Sequence, residues 1–284
     1  MIEARPSRTA LRVAMRRAAH QLFDHPKVLD DPIALPIIGR RAAAKLETER
    51  ATGDNRIALS IRAFMVARSR YAEDALAHAI ARGARQYVVL GAGLDTFAYR
   101  NPYGEPALRV FEVDYPATQE WKRQQLEKAR IAVPTSVTYA SVDFERQTLQ
   151  EGLELVGFDS TKPTFFSWLG VTMYLSEDAV MSAFGFISST PPQGGVAFDY
   201  AVPRSSLGLF GRIALDSVSR RVAAAGEPFR TFFAPLALAE RLRGMGFTSV
   251  EDLGADEINA RYFRDRPDKL RIMGRIGRLM SAQV

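Results

Sequence analysis

From residue 86 onward, short runs rich in β-branched and aromatic residues alternate with stretches of helical periodicity, and no other feature restricts the chain as tightly. The strand-like runs are QYVVL (86–90), LRVFEV (108–113), SVTYASVDF (136–144), TFFSWL (164–169) and GVAFDYAV (195–202), with helices predicted at 116–130, 147–156 and 177–189. Strands joined by helical crossovers lie parallel, and the crossovers cover both faces of the sheet. A helical stretch then follows Pro203 to about 225, and another begins near Pro235 and stops at Gly244 or Gly246. Two final strand-like segments fall near 247–253 and 272–284.

Residues 1–85 read differently. Leu11, Met15, Ala18, Ala19 and Leu22 recur at helical spacing between Ser7, an N-cap candidate, and Phe23, with arginines filling a face that is expected to be solvated. Asp30-Asp31-Pro32 and Pro36 break the chain before a helix around 40–50 and a long one at 56–82 that stops at Gly83. With no repeat, low-complexity tract or flexible linker in view, the reading is an N-terminal helical cap (1–85) on an α/β unit (86–284) that carries a helical insertion at about 203–233.

The charge distribution narrows the partners. The net charge is +6, yet residues 1–85 hold 16 Lys and Arg against 9 Asp and Glu, whereas 86–284 hold 22 against 23. The excess belongs to the cap, so a nucleic-acid partner is disfavoured. There is no cysteine, which removes disulfides, thiolate metal sites and thiol nucleophiles, and His20, His25 and His78 are too scattered for a zinc site, so no metal is expected. No apolar run reaches about 18 residues and arginines interrupt the N-terminus, so neither a membrane span nor a signal peptide is expected; the reading is a cytoplasmic monomer or homodimer.

Chemistry concentrates where the first strand empties into Gly91-Ala92-Gly93-Leu94-Asp95. Glycines there let backbone approach a ligand at the carboxyl edge of a doubly wound sheet. Asp114 closes the next strand about 20 residues on, where an acid hydrogen-bonds ribose hydroxyls. Thr96 stands where a dinucleotide site has its third glycine, and Asp95 would repel a pyrophosphate. Asp143 and Phe144, at the predicted end of the third strand, suit an adenine amino group and ring. Together these strand ends favour S-adenosylmethionine over NAD(P).

LGAGLDTFAYR (90–100), VFEVDYPATQEWKR (110–123), VDFE (142–145) and FFSWLGVTMYL (165–175) resemble the motifs of the leucine carboxyl methyltransferase-like family, which includes many bacterial small-molecule O-methyltransferases. The resemblance runs from the N-terminal helix to about residue 202; beyond it, only the 235–247 segment and Arg261-Tyr262-Phe263 look similar. It implies a class I, Rossmann-like, doubly wound and mostly parallel sheet, with S-adenosylmethionine as methyl donor. It also implies that Gly91, Ala92, Gly93 and Asp95 lie along the methionine part, Asp114 and Tyr115 at the ribose, and Asp143 and Phe144 at the adenine. Arg68, with Arg17 as a second contact, resembles the family arginine on the donor carboxylate. Leu169 lies beside the same pocket and stands where many relatives carry glutamate, so the acceptor does not carry over.

Methyl transfer to a carboxylate needs no base; transfer to a hydroxyl is helped by one, and Tyr174, Asp199 and Tyr200 near the ends of the fourth and fifth strands are the candidates, each with a packing role as its competing reading. Leu207, Leu209, Phe210, Phe229, Phe232 and Phe233 point to an apolar small-molecule acceptor, with core or dimer packing as the competing reading. An NAD(P)-dependent oxidoreductase and a non-catalytic binding module are the alternatives. Ser167-Trp168-Leu169-Gly170 offers no motif for methylation of a nucleic-acid base.

Overall fold

The computed structural model describes residues 8–52, 55–104, 107–142, 147–224 and 226–284. Its sheet holds β1 (Gln86–Leu90), β2 (Arg109–Asp114), β3 (Val137–Ser141), β4 (Thr164–Trp168), β5 (Gly195–Ala201), β6 (Ser249–Leu253) and β7 (Gly277–Gln283) in the order β3-β2-β1-β4-β5-β7-β6. The first five strands are parallel, and β7 runs antiparallel between β5 and β6. This is the Rossmann-like, mostly parallel sheet expected from the strand–helix alternation.

Side-chain alternation splits β1 between two cores. Val88 and Leu90 pack with Phe111, Phe166, Trp168 and Phe198, whereas Tyr87 and Val89 pack with Tyr71, Ala72 and Leu76 on the other face. Those last three residues belong to α4 (Arg56–Arg82), which starts on the Asn55 side chain and ends on Gly83 in a left-handed conformation. The crossovers are α5 (Pro116–Lys128), α6 (Leu149–Glu154) and α7 (Glu177–Ser188); Thr148 and Glu151 close a capping box on α6 and Ser176 caps α7.

Three helices precede α4: α1 (Arg8–Phe23), α2 (Ala34–Ile37) and α3 (Arg40–Thr52). After β5 come α8 (Leu209–Ala224), α9 (Pro235–Gly244) and, between β6 and β7, α10 (Ala255–Tyr262). The region around 203–233 is helical to Ala224, with a 3-10 turn at Arg204–Ser206 before α8, whereas 226–233 lacks regular structure, and α10 is not foreseen from the sequence. The third strand stops at Ser141, earlier than expected; Asp143 and Phe144 lie outside the described residues, as does Ser7. No described helix is long and apolar enough to cross a membrane.

Within the cap, a buried polar triad ties the end of α1 to α4. Val28 donates its amide to His20 Nε2 at 3.0 Å, so Nδ1 carries the proton and donates to Asp24 at 2.8 Å. Arg62 then donates through Nε and Nη2 to the two oxygens of Asp24, each at 2.8 Å. Burial alone would raise the Asp24 carboxyl, but the hydrogen bonds from His20 and Arg62 outweigh it and hold the group below its ordinary range. A depressed folded value means stability that is present above the unfolded value of about 3.9 and is lost as pH falls through the folded one. Asp24→Asn is expected to cost about 3 kcal/mol at neutral pH and to converge on the parent protein in acid, which urea unfolding across that range will measure.

Candidate functional site

β1, β2 and β4 end side by side: Leu90 is level with Val113 on one neighbour and with Trp168 on the other. The strand order reverses here, opening the crevice in which sheets of this kind bind ligands. The Gly91 and Ala92 amides both donate to the Val113 carbonyl, at 2.8 and 3.0 Å, and turn the chain sharply. Gly91 has φ +66°, and a Cβ there would stand 2.3 Å from Val171 Cγ2 in the loop after β4. Gly93, at φ +47°, would bring a Cβ to 3.1 Å of Ala10 on α1. Backbone conformation and close approach both require glycine at the first position.

Asp114 is half-buried at the end of β2, where Gly93 donates its amide to Oδ2 at 2.6 Å and Tyr115 donates to Oδ1 at 2.7 Å. Burial pushes its carboxyl up, and the two amides offset this only in part. Asp114 does not cap α5, whose N-cap position is Tyr115 without a side-chain cap. The carboxylate therefore serves the crevice and the glycine turn.

Arg17 reaches this turn from α1. It is only 4% exposed; Nη2 donates to the Leu94 carbonyl, Nη1 lies 3.4 Å from Asp95, and the buried Nε has no hydrogen-bond partner. The arginine-bearing face of α1 is thus not wholly solvated, as the periodicity implied, because this guanidinium turns inward. Asp95 accepts from the Phe97 amide at 2.8 Å, and although burial raises its carboxyl, the charges of Arg17, Lys122 and Arg100 bring it below its usual range.

A second group gathers at the ends of β4 and β5. Arg68 Nη1 donates to Asp199 Oδ2 at 2.8 Å with both side chains buried, and Gly170 donates its amide to Asp199 Oδ1. The guanidinium lies against Gly170, where a Cβ would be 2.9 Å from both Nη atoms. Tyr174 packs on Phe229 with ring centroids 5.4 Å apart; burial and the nearby Glu227 carboxylate push its hydroxyl up to about 12, while Arg68 and a hydrogen bond with Thr9 oppose the rise. Thr9 in turn donates to Glu227.

The structure thus assembles Arg17, Gly91, Ala92, Gly93, Asp95, Asp114 and Tyr115 on one side of the crevice, and Arg68, Asp199 and Tyr174 on the other. Tyr200 does not join them: its hydroxyl donates to Asp252 at 2.9 Å, inside the sheet's packing against β6. Leu169 is half-buried against the α4-side core. Asp199 is engaged by Arg68, a poor setting for a base. Thr9, Val171 and Glu227 were not legible as site residues, because nothing in the sequence links positions 9, 171 and 227 until the chain folds.

The family model described as leucine carboxyl methyltransferase matches residues 10–188, which run from α1 to the end of α7. The chain is 33% identical over 287 residues to YktD of Bacillus subtilis, provisionally named an S-adenosyl-L-methionine-dependent methyltransferase, with 93% of each chain covered. A Mycobacterium marinum protein with the same provisional description is 34% identical over 202 residues, covering 68% of this chain and 65% of that one. Among solved structures, a Thermobifida fusca protein provisionally called a methyltransferase superposes with a TM-score of 0.58 at 17% identity, over 99% of this chain and 96% of that one. A duf574 family protein of Streptomyces avermitilis gives 0.56 at 16% identity over 100% and 99%. At such identities the two structures speak for the fold alone.

The glycine turn supplies its own test. Gly91→Ala is expected to cost about 2 kcal/mol, from left-handed strain and collision with Val171. Adding Val171→Ala should return about 1 kcal/mol of that, seen as a coupling energy in denaturant unfolding of the single and double variants.

Proposed function

This chain belongs to the leucine carboxyl methyltransferase family and is an S-adenosylmethionine-dependent methyltransferase, and from that premise we propose that it methylates an oxygen of a small, apolar acceptor. The observation that carries the reading is the junction of two surfaces: the glycine turn with Asp114 on one side, and the Tyr174–Phe229 aromatic pair on the other.

The residues present fit the methyl donor. Gly91 and Gly93 keep side chains out of the turn, Asp114 offers a carboxylate to a ribose diol, and Arg17 brings a buried guanidinium to the same turn, with its Nε 3.6 Å from Asp31 Oδ2. Arg17 and Arg68 are the guanidiniums we place at the amino-acid carboxylate, which would share them with Asp95 and Asp199. When bound, the donor supplies a methyl group on a positively charged sulfur, with a neutral leaving group. The chain's own task is then to orient an acceptor oxygen and exclude water. α1 serves the second task by lying over the turn through Ala10 and Arg17. With Tyr200 hydrogen-bonded to Asp252 and Asp199 paired to Arg68, Tyr174 is the one of the three base candidates that no carboxylate or guanidinium among the described residues engages directly.

Calorimetric titration is expected to give micromolar-range binding of S-adenosylhomocysteine and no saturable response to NADH. The reverse result would restore the oxidoreductase reading. Asp114→Ala should weaken S-adenosylhomocysteine by about 2–3 kcal/mol through loss of a charged acceptor from the ribose, and should also lower the melting temperature, because the Gly93 and Tyr115 amides lose their acceptor.

A further inference from the structure

The segment 226–233 belongs to no helix or strand, yet it is held over the β4–α7 connection. Arg230 donates its amide to the Met173 carbonyl at 2.7 Å, Thr231 Oγ1 donates to the Leu175 carbonyl at 2.6 Å, and Phe233 donates to Ala201 at 3.0 Å. Upstream, the Glu227 amide closes the end of α8 on the Val222 carbonyl at 3.0 Å. Held from both sides, the segment places Phe229 on Tyr174 and turns the Glu227 carboxylate to Thr9. The next residue, Ala10, is the one that sits on Gly93, whose amide in turn donates to Asp114. Glu227 therefore stands between the Asp114 side of the crevice and the Tyr174 side, contributed by a part of the chain that the family match over 10–188 does not reach.

We propose that Glu227 is a specificity-determining residue of the acceptor site, where its carboxylate accepts a hydrogen bond from an aromatic hydroxyl compound and rejects an aromatic carboxylate. This rests on the methyl-donor reading above. The aromatic part follows from Tyr174, Phe229 and the neighbouring Phe232, whose ring centroid is 6.1 Å from that of Phe229. The hydroxyl part follows from charge: a second carboxylate brought into this half-buried space would face Glu227 as a like charge, whereas a neutral O–H donates to it. Burial is the main cause of the raised Tyr174 hydroxyl, with the Glu227 charge next, and Glu227 adds a smaller rise at Asp114. Selection of a hydroxyl separates this chain from the carboxyl chemistry in the family's description.

The test uses the full chain saturated with S-adenosylhomocysteine and two probes of matched shape, naphthol and naphthoate, titrated calorimetrically near neutral pH, where the first is neutral and the second anionic. Naphthol is expected to bind at least about tenfold more tightly, and Glu227→Gln or Glu227→Ala should reduce that preference by about the same factor while shifting S-adenosylhomocysteine affinity no more than Thr9→Val does. Thr9→Val should keep the preference. The proposal is overturned if naphthoate binds the parent chain as well as naphthol does, if neither probe binds, or if the Glu227 variants leave the preference unmoved. Equal loss of S-adenosylhomocysteine affinity in the Thr9 and Glu227 variants, with no change in preference, would make Glu227 a latch on α1 and also overturn it. Failure of the parent chain to bind S-adenosylhomocysteine at all would remove the methyl-donor reading and this inference with it.

Discussion

Two amide hydrogen bonds to one carbonyl, from Gly91 and Ala92 to Val113, set the point at which β1 stops. Because the turn is welded to β2 in this way, Gly93 arrives within 2.6 Å of Asp114, and the carboxylate and the bare backbone form one surface. The loop after β4 can then close on the same point only because Gly91 has no side chain in the way of Val171. Parallel register does the remainder: with Leu90 level with both Val113 and Trp168, three strand ends open on one crevice.

Buried charges hold the helices of the cap to one another and, beside the apolar packing of α4 on β1, to the sheet domain. Asp24 with Arg62 and His20, Arg17 with the Leu94 carbonyl and Asp95, and Arg68 with Asp199 all lie where water is scarce. Burying a charge costs enough that such pairs add little net stability, but leaving one partner alone costs several kilocalories, so they fix geometry. They hold α1 and α4 in the one arrangement that satisfies the guanidiniums, and that arrangement puts α1 over the glycine turn. The basic excess of residues 1–85 is thus in part structural, spent on internal carboxylates and carbonyls before any partner is considered.

Much of the glycine-turn side of the crevice was legible beforehand, for a local reason. Gly91, Gly93 and Asp114 follow directly from strand ends, and strand ends follow from alternation that can be counted along the chain. Residues whose roles depend on distant partners were read less well. Tyr200 and Asp199 occupy the right end of β5, but one is drawn to Asp252 on β6 and the other to Arg68 on α4. Arg17 is singled out only by the family resemblance, since periodicity puts it on a solvated face; its contacts with Leu94 and Asp95 come from the fold. α10 was missed because it is only eight residues long, too short to stand out as a helix between two strands.

By itself, the sequence determined the class of the sheet, the place of the glycine turn and the acid that answers it, since each depends on neighbours within one strand, turn or crossover. Which side chains face one another across the crevice was decided only in three dimensions. Thr9 and Glu227 are 218 positions apart, and Arg68 and Asp199 are 131 apart. No periodicity spans such separations; they are set by helix packing and strand order, where the burial of apolar surface positions the polar groups that function requires.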